Sequence, residues 1–162
     1  MQIKCRIAGI HLSLLAQRQV KVLGINSKID AIQHILMWDF DGKDVHEVRA
    51  ALIEIRNAYN LPQIHMVNGG HPLSFHAYCF DRHSFREASG IIAMTRNVDK
   101  DFVAFGILRG YFTLRITPKG NRHFLDGSLT IKGLRDENVS PSELTSISEY
   151  WTKRNKKGMT IL

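Results

Sequence analysis

Residues 32–40 form a nearly continuous apolar run that is about as long as one β-strand. A run of this kind is typical of a central strand that is covered on both faces. Two shorter stretches, 2–10 and 19–25, alternate apolar and polar residues and predict two further strands. The segment between those two strands is expected to be a turn or a short helix.

A helix is predicted after the central strand, because apolar residues recur at steps of three and four over residues 45–59. Asp44 and Glu47 have the spacing of a capping box, and Leu61-Pro62 would end the helix. The pattern therefore predicts a buried strand that is followed closely by an amphipathic helix.

Capping signals predict two more helices. Ser84 and Glu87 repeat the capping-box spacing and predict a helix that extends to about Arg96. Ser140-Pro141 is expected to begin a third helix, because proline is favoured at the first helical position.

The other apolar stretches are predicted to be strands that are joined in pairs by turns. Glycine, asparagine and aspartate favour such turns, because they tolerate the backbone angles that tight turns need. The predicted pairs are 63–68 with 73–80 around Asn68-Gly69-Gly70, 102–108 with 111–117 around Arg109-Gly110, and 122–125 with 128–132 around Asp126-Gly127. Helices that alternate with hairpins predict an α+β layered fold, with a split-βαβ arrangement in its middle.

The length of 162 residues predicts a single domain, 1–162, that can bury a core without disulfides. Cys5 and Cys79 belong to no CxxC pair, and Cys79 is expected to be a buried free thiol. No apolar run approaches the roughly 18 residues of a membrane span. The amino terminus also lacks the apolar core of a signal peptide. We therefore expect a cytoplasmic protein without a membrane partner.

Two aspartates end the central apolar run, in the sequence Trp38-Asp39-Phe40-Asp41-Gly42. Side chains alternate along a strand, so Asp39 and Asp41 are expected on one face and Phe40 on the other. Two carboxylates about 7 Å apart suit Mg²⁺ or Mn²⁺, which prefer oxygen ligands and accept substrate phosphates as further ligands. The alternative is a strand end with turn-favouring aspartates, since Asp-Gly marks turns.

A second candidate, Ser74-Phe75-His76, follows the predicted glycine turn. Alternation places Ser74, His76 and Tyr78 on one face of the 73–80 strand. Glycines let the backbone approach a phosphate closely, and a histidine there suits a triphosphate or a metal. One alternative is a histidine satisfied by ordinary hydrogen bonds, and another is a metal site of several histidines. The members of that cluster would be His76 and its sequence neighbours His65, His71 and His83.

Arg115 and Lys119 are a third candidate, on the 111–117 strand and in the turn that follows it. A guanidinium offers a planar fork of donors and an ammonium offers a point charge, and both suit phosphate. The formal net charge of +7 also favours a polyanionic partner, such as nucleic acid or a nucleotide. The alternatives are a solvated strand face and a net charge that serves only solubility.

Taken in chain order, these three segments resemble the archaeo-eukaryotic primase superfamily, the primase-polymerases. That family has an acidic motif, hhhDhD/E (h, hydrophobic), then an sxH motif (s, small), and then a further acidic residue on a later strand. The first motif resembles residues 36–41 and the second resembles residues 74–76. Many plasmid and phage members also have a late Leu-Arg run before a lysine, as in residues 114–119. The resemblance covers about residues 32–120.

The resemblance implies a minimal primase-polymerase with an RRM-like core, packed against a small second α/β unit. The motifs would lie in a core at about 32–120, and a hairpin, a helix and a basic tail would occupy about 121–162. The further acidic residue is best matched by Asp101 and next by Asp99.

The resemblance also implies roles for the site residues. Asp39 and Asp41 would bind Mg²⁺ or Mn²⁺ and would be catalytic together with Asp101. The nucleotide or template phosphates would be bound by Ser74, His76, Arg115 and Lys119. The implied activity is nucleotidyl transfer, in which short DNA or RNA is made from nucleoside triphosphates during replication. A replication partner protein is among the partners that the resemblance implies.

Two other functions fit parts of the pattern. An RRM-like module without catalysis, or an inactive primase remnant, would stack bases on aromatic residues such as Tyr78 and Phe80. Asp39 and Asp41 would repel phosphate in such a module. A metal-dependent nuclease or rolling-circle initiator would use a paired-histidine motif and a nucleophilic tyrosine. The His-x-His pair is absent, although Tyr78 lies two residues from His76.

Overall fold

The computed structural model describes residues 2–7, 10–15, 19–116, 128–144, 147–155 and 158–160. These residues combine antiparallel strand pairs with three α-helices, which confirms the predicted α+β class. The chain groups into two compact units, one made of residues 1–22 and 149–162 and the other of residues 23–148. The prediction of a single domain stays a prediction.

The first unit contains two antiparallel hairpins. Strands β1 (Gln2–Ile7) and β2 (Ile10–Leu15) pair with each other, as do β9 (Ile147–Asn155) and β10 (Gly158–Thr160). The predicted turn or helix between the first strands was therefore wrong. Apolar residues alternate with polar ones over residues 10–14, and this period of two favours a strand.

A four-stranded antiparallel sheet forms the centre of the second unit. Its strands are β4 (Gln33–Asp41), β5 (Ile64–His71), β6 (Ser74–Ser84) and β8 (Ser128–Ile131), in the spatial order β4-β6-β5-β8. The apolar run at 32–40 forms β4, and five consecutive residues of this strand, 34–38, are buried. The prediction of a central strand was wrong, because β4 is an end strand of the described sheet, and its burial comes from packing in the core. Strand β3 (Gln19–Asn26) enters this unit with its last residues, which pair antiparallel with β7 (Thr113–Arg115).

Helices α1 (Val45–Tyr59) and α2 (Phe85–Met94) confirm the first two predicted helices, and both begin with the predicted capping box. Their apolar faces join the core, which includes Leu52 of α1 and Ile92 of α2. The indole Nε1 of Trp38 donates to Thr95 Oγ1 over 2.8 Å, just after α2 ends. Trp38 therefore faces the helices, and its neighbour Asp39 projects from the opposite face of the sheet.

The predicted hairpin of 102–108 with 111–117 was wrong, because residues 100–109 form a helix, α3 (Lys100–Arg109). Asp99 caps this helix by accepting from Phe102 N, and Gly110 ends it with a left-handed φ of 76°. Only the short β7 remains of the second predicted strand. Gly106 lies against the buried Phe112 ring, which explains a glycine inside a helix.

The glycines at 69 and 70 do not form the predicted turn. Strand β5 continues to His71, and the turn lies at Pro72–Leu73. The pairing register between β5 and β6 shifts between Asn68 and His71, so the glycines form a bulge. Asn68 accepts from Gly70 N and donates to His71 O, which stabilises this bulge locally.

Between β7 and β9, the described residues are mostly irregular. The predicted 128–132 strand is confirmed as β8, whereas its partner 122–125 and the turn at Asp126 lie outside the described residues. The predicted third helix is a single 3₁₀ turn, Pro141–Glu143. Strand β9 begins at Ile147, so the segment has room for little more than this single turn. Across the described helices, none is long and apolar enough to cross a membrane.

Candidate metal and phosphate site

The pairing of β4 with β6 brings two of the sequence candidates together. Asp39 lies directly opposite His76, and Asp41 lies directly opposite Ser74. Directly opposed residues in an antiparallel pair project from the same face of the sheet. These four side chains therefore form one cluster, on the sheet face opposite Trp38.

The imidazole of His76 contacts the first aspartate. His76 Nε2 lies 3.7 Å from Asp39 Oδ1. His76 is only 4% exposed, whereas the Asp39 side chain is 26% exposed and Asp41 is exposed. The backbone at Gly69 lies close to the imidazole ring, so His76 is part of the packed interior.

The protonation state of His76 follows from burial and from Arg115. Burial, and then the positive charge of Arg115, lower the pKa of His76 to about 4, and the negative charge of Asp41 opposes this shift. The imidazole is therefore neutral at neutral pH, and each neutral imidazole offers one N–H donor and one acceptor. Positive charge at the cluster comes from Arg115 instead.

Arg115 reaches the cluster from β7, where it pairs with Gly24 of β3. The side chain is half-buried, and its Nε is buried without a hydrogen-bond partner among the described residues. A half-buried guanidinium whose charge acts on the buried His76 differs from a solvated strand face, which was the alternative for this segment. Lys119 lies outside the described residues.

Tyr78 continues the same face of β6, opposite Met37. Burial, and then the negative charge of Asp39, raise the pKa of its hydroxyl far above the ordinary value. A tyrosine nucleophile must lose its proton, so this environment does not favour Tyr78 as a nucleophile. The geometry thus gives no support to the rolling-circle alternative.

The two candidates for a further acidic residue lie at the start of α3. Asp99 N donates to Asp39 O over 2.8 Å, so this helix begins beside the β4 aspartates. The Asp99 carboxylate accepts from Phe102 N as the helix cap. Asp101 is exposed in the first turn, where a negative charge suits the helix dipole, and not at the start of a strand. A catalytic role of Asp101 stays a prediction.

The cluster fits a divalent cation that keeps open coordination positions. Among the described residues, no group of three or more histidine, cysteine, aspartate or glutamate side chains is arranged to hold a metal. Mg²⁺ binds proteins through one or two carboxylates and completes its shell with water and substrate phosphates. Asp39 and Asp41 provide such a pair, at an accessible strand end, and they would hold Mg²⁺ or Mn²⁺.

The alternative of a histidine cluster is not supported. His65 Nε2 lies 2.7 Å from Glu137 Oε1, and His83 Nε2 lies 2.7 Å from Asp81 Oδ2. His71 Nδ1 accepts from Leu73 N. Each of these histidines therefore has its own local partner, away from His76.

Sequence reasoning missed a buried carboxylate on the same strand. Asp81 is fully buried, and it binds the guanidinium of Arg135 as well as His83. Strand alternation places Asp81 on the face opposite His76. The available signal was that Asp81 continues the apolar face of Phe75, Ala77 and Cys79, because a buried charge needs a partner.

Comparison with protein-family models, with curated proteins and with solved structures finds no significant match to this chain.

Proposed function

We propose that this protein is a metal-dependent nucleotidyltransferase of the primase-polymerase kind, which makes short nucleic acid from nucleoside triphosphates. The observation that carries the proposal is the cross-strand cluster of Asp39 and Asp41 opposite His76 and Ser74. The aspartates and the Ser-x-His segment lie far apart in the sequence, and the pairing of β4 with β6 makes them neighbours. A cluster of this composition suits a metal-bound triphosphate.

The order of elements around the cluster supports the same proposal. The chain runs β4-α1-β5-β6-α2-α3-β7, and β4 lies next to β6, which lies next to β5. Strand β7 also contacts β4. Apart from the additional helix α3, this element order and the β4-β6-β5 neighbours are those expected of the RRM-like core that the family resemblance implies.

The residues have distinct roles in the proposed reaction. Asp39 and Asp41 would hold Mg²⁺ or Mn²⁺, which would supply positive charge against the phosphates. The neutral His76 and the Ser74 hydroxyl donate hydrogen bonds to phosphate oxygens, and Arg115 supplies a fixed positive charge. In this reaction a 3′-hydroxyl oxygen attacks the α-phosphorus and its proton passes to solvent, while the bond from that phosphorus to the bridging oxygen breaks and pyrophosphate leaves.

A nucleic-acid-binding module without catalysis is the competing proposal. Its aromatic platform would use Tyr78 and Phe80, but Tyr78 is largely buried and Phe80 contacts the His65 ring edge-on, with centroids 5.3 Å apart. Two carboxylates on the same face also oppose phosphate binding without a metal. The catalytic proposal accounts for those carboxylates, because they would bind the metal ion.

A synthesis assay tests the proposal directly. The wild-type protein is incubated with primed and unprimed templates, all nucleoside triphosphates and either Mg²⁺ or Mn²⁺, and labelled products are resolved on a gel. Asp39→Ala with Asp41→Ala should abolish product, because the metal loses both carboxylates. The matched control is Asp136→Asn, which removes an exposed carboxylate elsewhere in the same unit.

Calorimetry with Mn²⁺ and a nucleoside triphosphate separates the competing proposals. The catalytic proposal expects binding that needs Mn²⁺ and both aspartates. Metal-independent nucleic-acid binding that survives the double alanine variant, together with no synthesis, would instead favour the binding module.

A further inference from the structure

The bulge in β5 brings bare backbone against two polar side chains of the candidate site. A Cβ atom built on Gly69 would lie 2.5 Å from Ser74 Oγ and 3.3 Å from His76 Nε2. Real Cβ atoms essentially never come within 3.0 Å of another heavy atom. Any side chain at position 69 would therefore displace the serine hydroxyl and press on the imidazole.

Gly69 is needed for space and not for its backbone angles. The described glycines with positive φ are Gly42, Gly70 and Gly110. Other residues can adopt the Gly69 conformation, so an alanine there tests the missing side chain alone.

The surrounding bulge does not yield readily to a larger residue. Asn68 Oδ1 accepts from Gly70 N over 2.8 Å, and Asn68 Nδ2 donates to His71 O over 3.0 Å. Gly69 itself is buried. With the backbone fixed on both sides, an added methyl group must move Ser74 and His76.

We infer that Gly69 is a positioning residue, which holds the His76 imidazole beside Asp39 and the Ser74 hydroxyl beside Asp41. The inference rests on the proposed function. His76 Nε2, the atom that lies 3.7 Å from Asp39 Oδ1, is also the atom nearest to a Cβ at Gly69 within that ring. The ring is thus confined between the β5 backbone and the carboxylate, in the position where it would meet a metal-bound triphosphate.

The test compares Gly69→Ala, Ser74→Ala and the double variant with the wild type. Imidazole signals in long-range ¹H–¹⁵N spectra report the His76 position without any ligand. Calorimetry measures the affinity for Mn²⁺ with an ATP analogue whose α,β-bridging oxygen is a methylene group. Gly90→Ala is the matched control, because it adds a methyl group on an exposed helix position with nothing within 4 Å.

Gly69→Ala should shift the His76 signals and weaken nucleotide binding on the order of tenfold to a hundredfold, as expected for a misplaced binding group. In the Ser74→Ala background, Gly69→Ala should reduce the nucleotide affinity by a smaller factor, because the closest contact, with Ser74 Oγ, is absent. Gly90→Ala should change neither the His76 signals nor the nucleotide affinity. If Gly69→Ala fails to fold, the comparison is made between Ser74→Ala and the double variant, where the closest contact is absent.

Unmoved His76 signals would overturn the inference, and so would unchanged affinity in a protein whose wild type binds the analogue. A wild type that binds no nucleotide and makes no product would refute the proposed function instead. The histidine signals would then still decide whether Gly69 positions the ring.

Discussion

At the scale of single residues, the candidate site is governed by charge. Asp39 and Asp41 carry two negative charges, Arg115 carries one positive charge, and His76 is neutral because its pKa is lowered to about 4. The cluster alone is therefore net negative and repels phosphate. A bound divalent cation makes it net positive, so phosphate binding should depend on metal.

Arg115 is the residue whose removal tests this balance. Arg115→Ala should weaken binding of an Mn²⁺-bound nucleoside triphosphate by about tenfold to a hundredfold, because a hydrogen bond to a charged group contributes roughly 1.5–3 kcal/mol. Calorimetry at several salt concentrations provides the measurement. The slope of log affinity against log salt should also become flatter, since one phosphate contact is lost.

Arg96→Ala is the appropriate control for that experiment. Arg96 is exposed and lies 3.9 Å from Glu54, on the helical side of the molecule. Its loss should leave both affinity and salt slope unchanged. Equal effects of the two arginine variants would mean that Arg115 acts only through net charge and does not contact phosphate.

At the scale of elements, sequence reasoning succeeded where local and tertiary signals agree. The helices α1 and α2 have an apolar stripe and a capping box, and both were predicted from the sequence. In α3, the run Phe102-Val103-Ala104-Phe105 carries β-favouring residues without a clear stripe, and it was taken for a strand. The cap at Asp99 and the left-handed Gly110 outweigh that local preference.

Gly106 tests whether α3 packs as the structure describes. A methyl group at Gly106 would collide with the Phe112 ring, which is buried with Phe85 and Phe102 around it. Gly106→Ala should therefore destabilise the protein by about 1–3 kcal/mol, as overpacking does, despite the better helix propensity of alanine. Urea unfolding gives the free energy.

The exposed helical glycine at 90 provides the contrast. Gly90→Ala meets no atom within 4 Å and should stabilise the protein by up to about 1 kcal/mol through helix propensity alone. If Gly106→Ala were equally stabilising, residues 100–109 would not pack on Phe112 as a helix. The two substitutions are chemically identical, so opposite changes in the free energy of unfolding would be due to the difference in packing around the added methyl group.

At the scale of the whole molecule, the site depends on neighbour relations that periodicity does not contain. The alternation pattern placed Asp39 and Asp41 on one face of the first strand and His76 on the polar face of a second strand. It could not show that these two strands, β4 and β6, are adjacent. That adjacency comes from the sheet order, in which the β5–β6 hairpin places β6 at the centre.

The buried Asp81 links distant parts of the second unit. Its carboxylate on β6 binds Arg135, and Arg135 Nε donates to Asn60 O at the end of α1 over 2.9 Å. Burial alone would raise the pKa of Asp81, but hydrogen bonds from His83 and Arg135 outweigh it and lower the pKa below 3.8. The charged form is therefore favoured by folding, and its contribution to stability is present above the unfolded pKa.

Asp81→Asn should consequently destabilise the protein most at neutral pH. We expect a loss of about 2–3 kcal/mol near pH 7, below the roughly 3–5 kcal/mol of a fully buried pair, because the remaining cation can reach solvent. As the pH falls through the lowered pKa, the wild type loses the contribution that the variant already lacks. Urea unfolding of both proteins near pH 7 and near pH 3 should show the difference shrinking, whereas Asp136→Asn should track the wild type throughout. A difference that stays constant with pH would mean that Asp81 stabilises the fold through shape and neutral hydrogen bonds, and not through its charge.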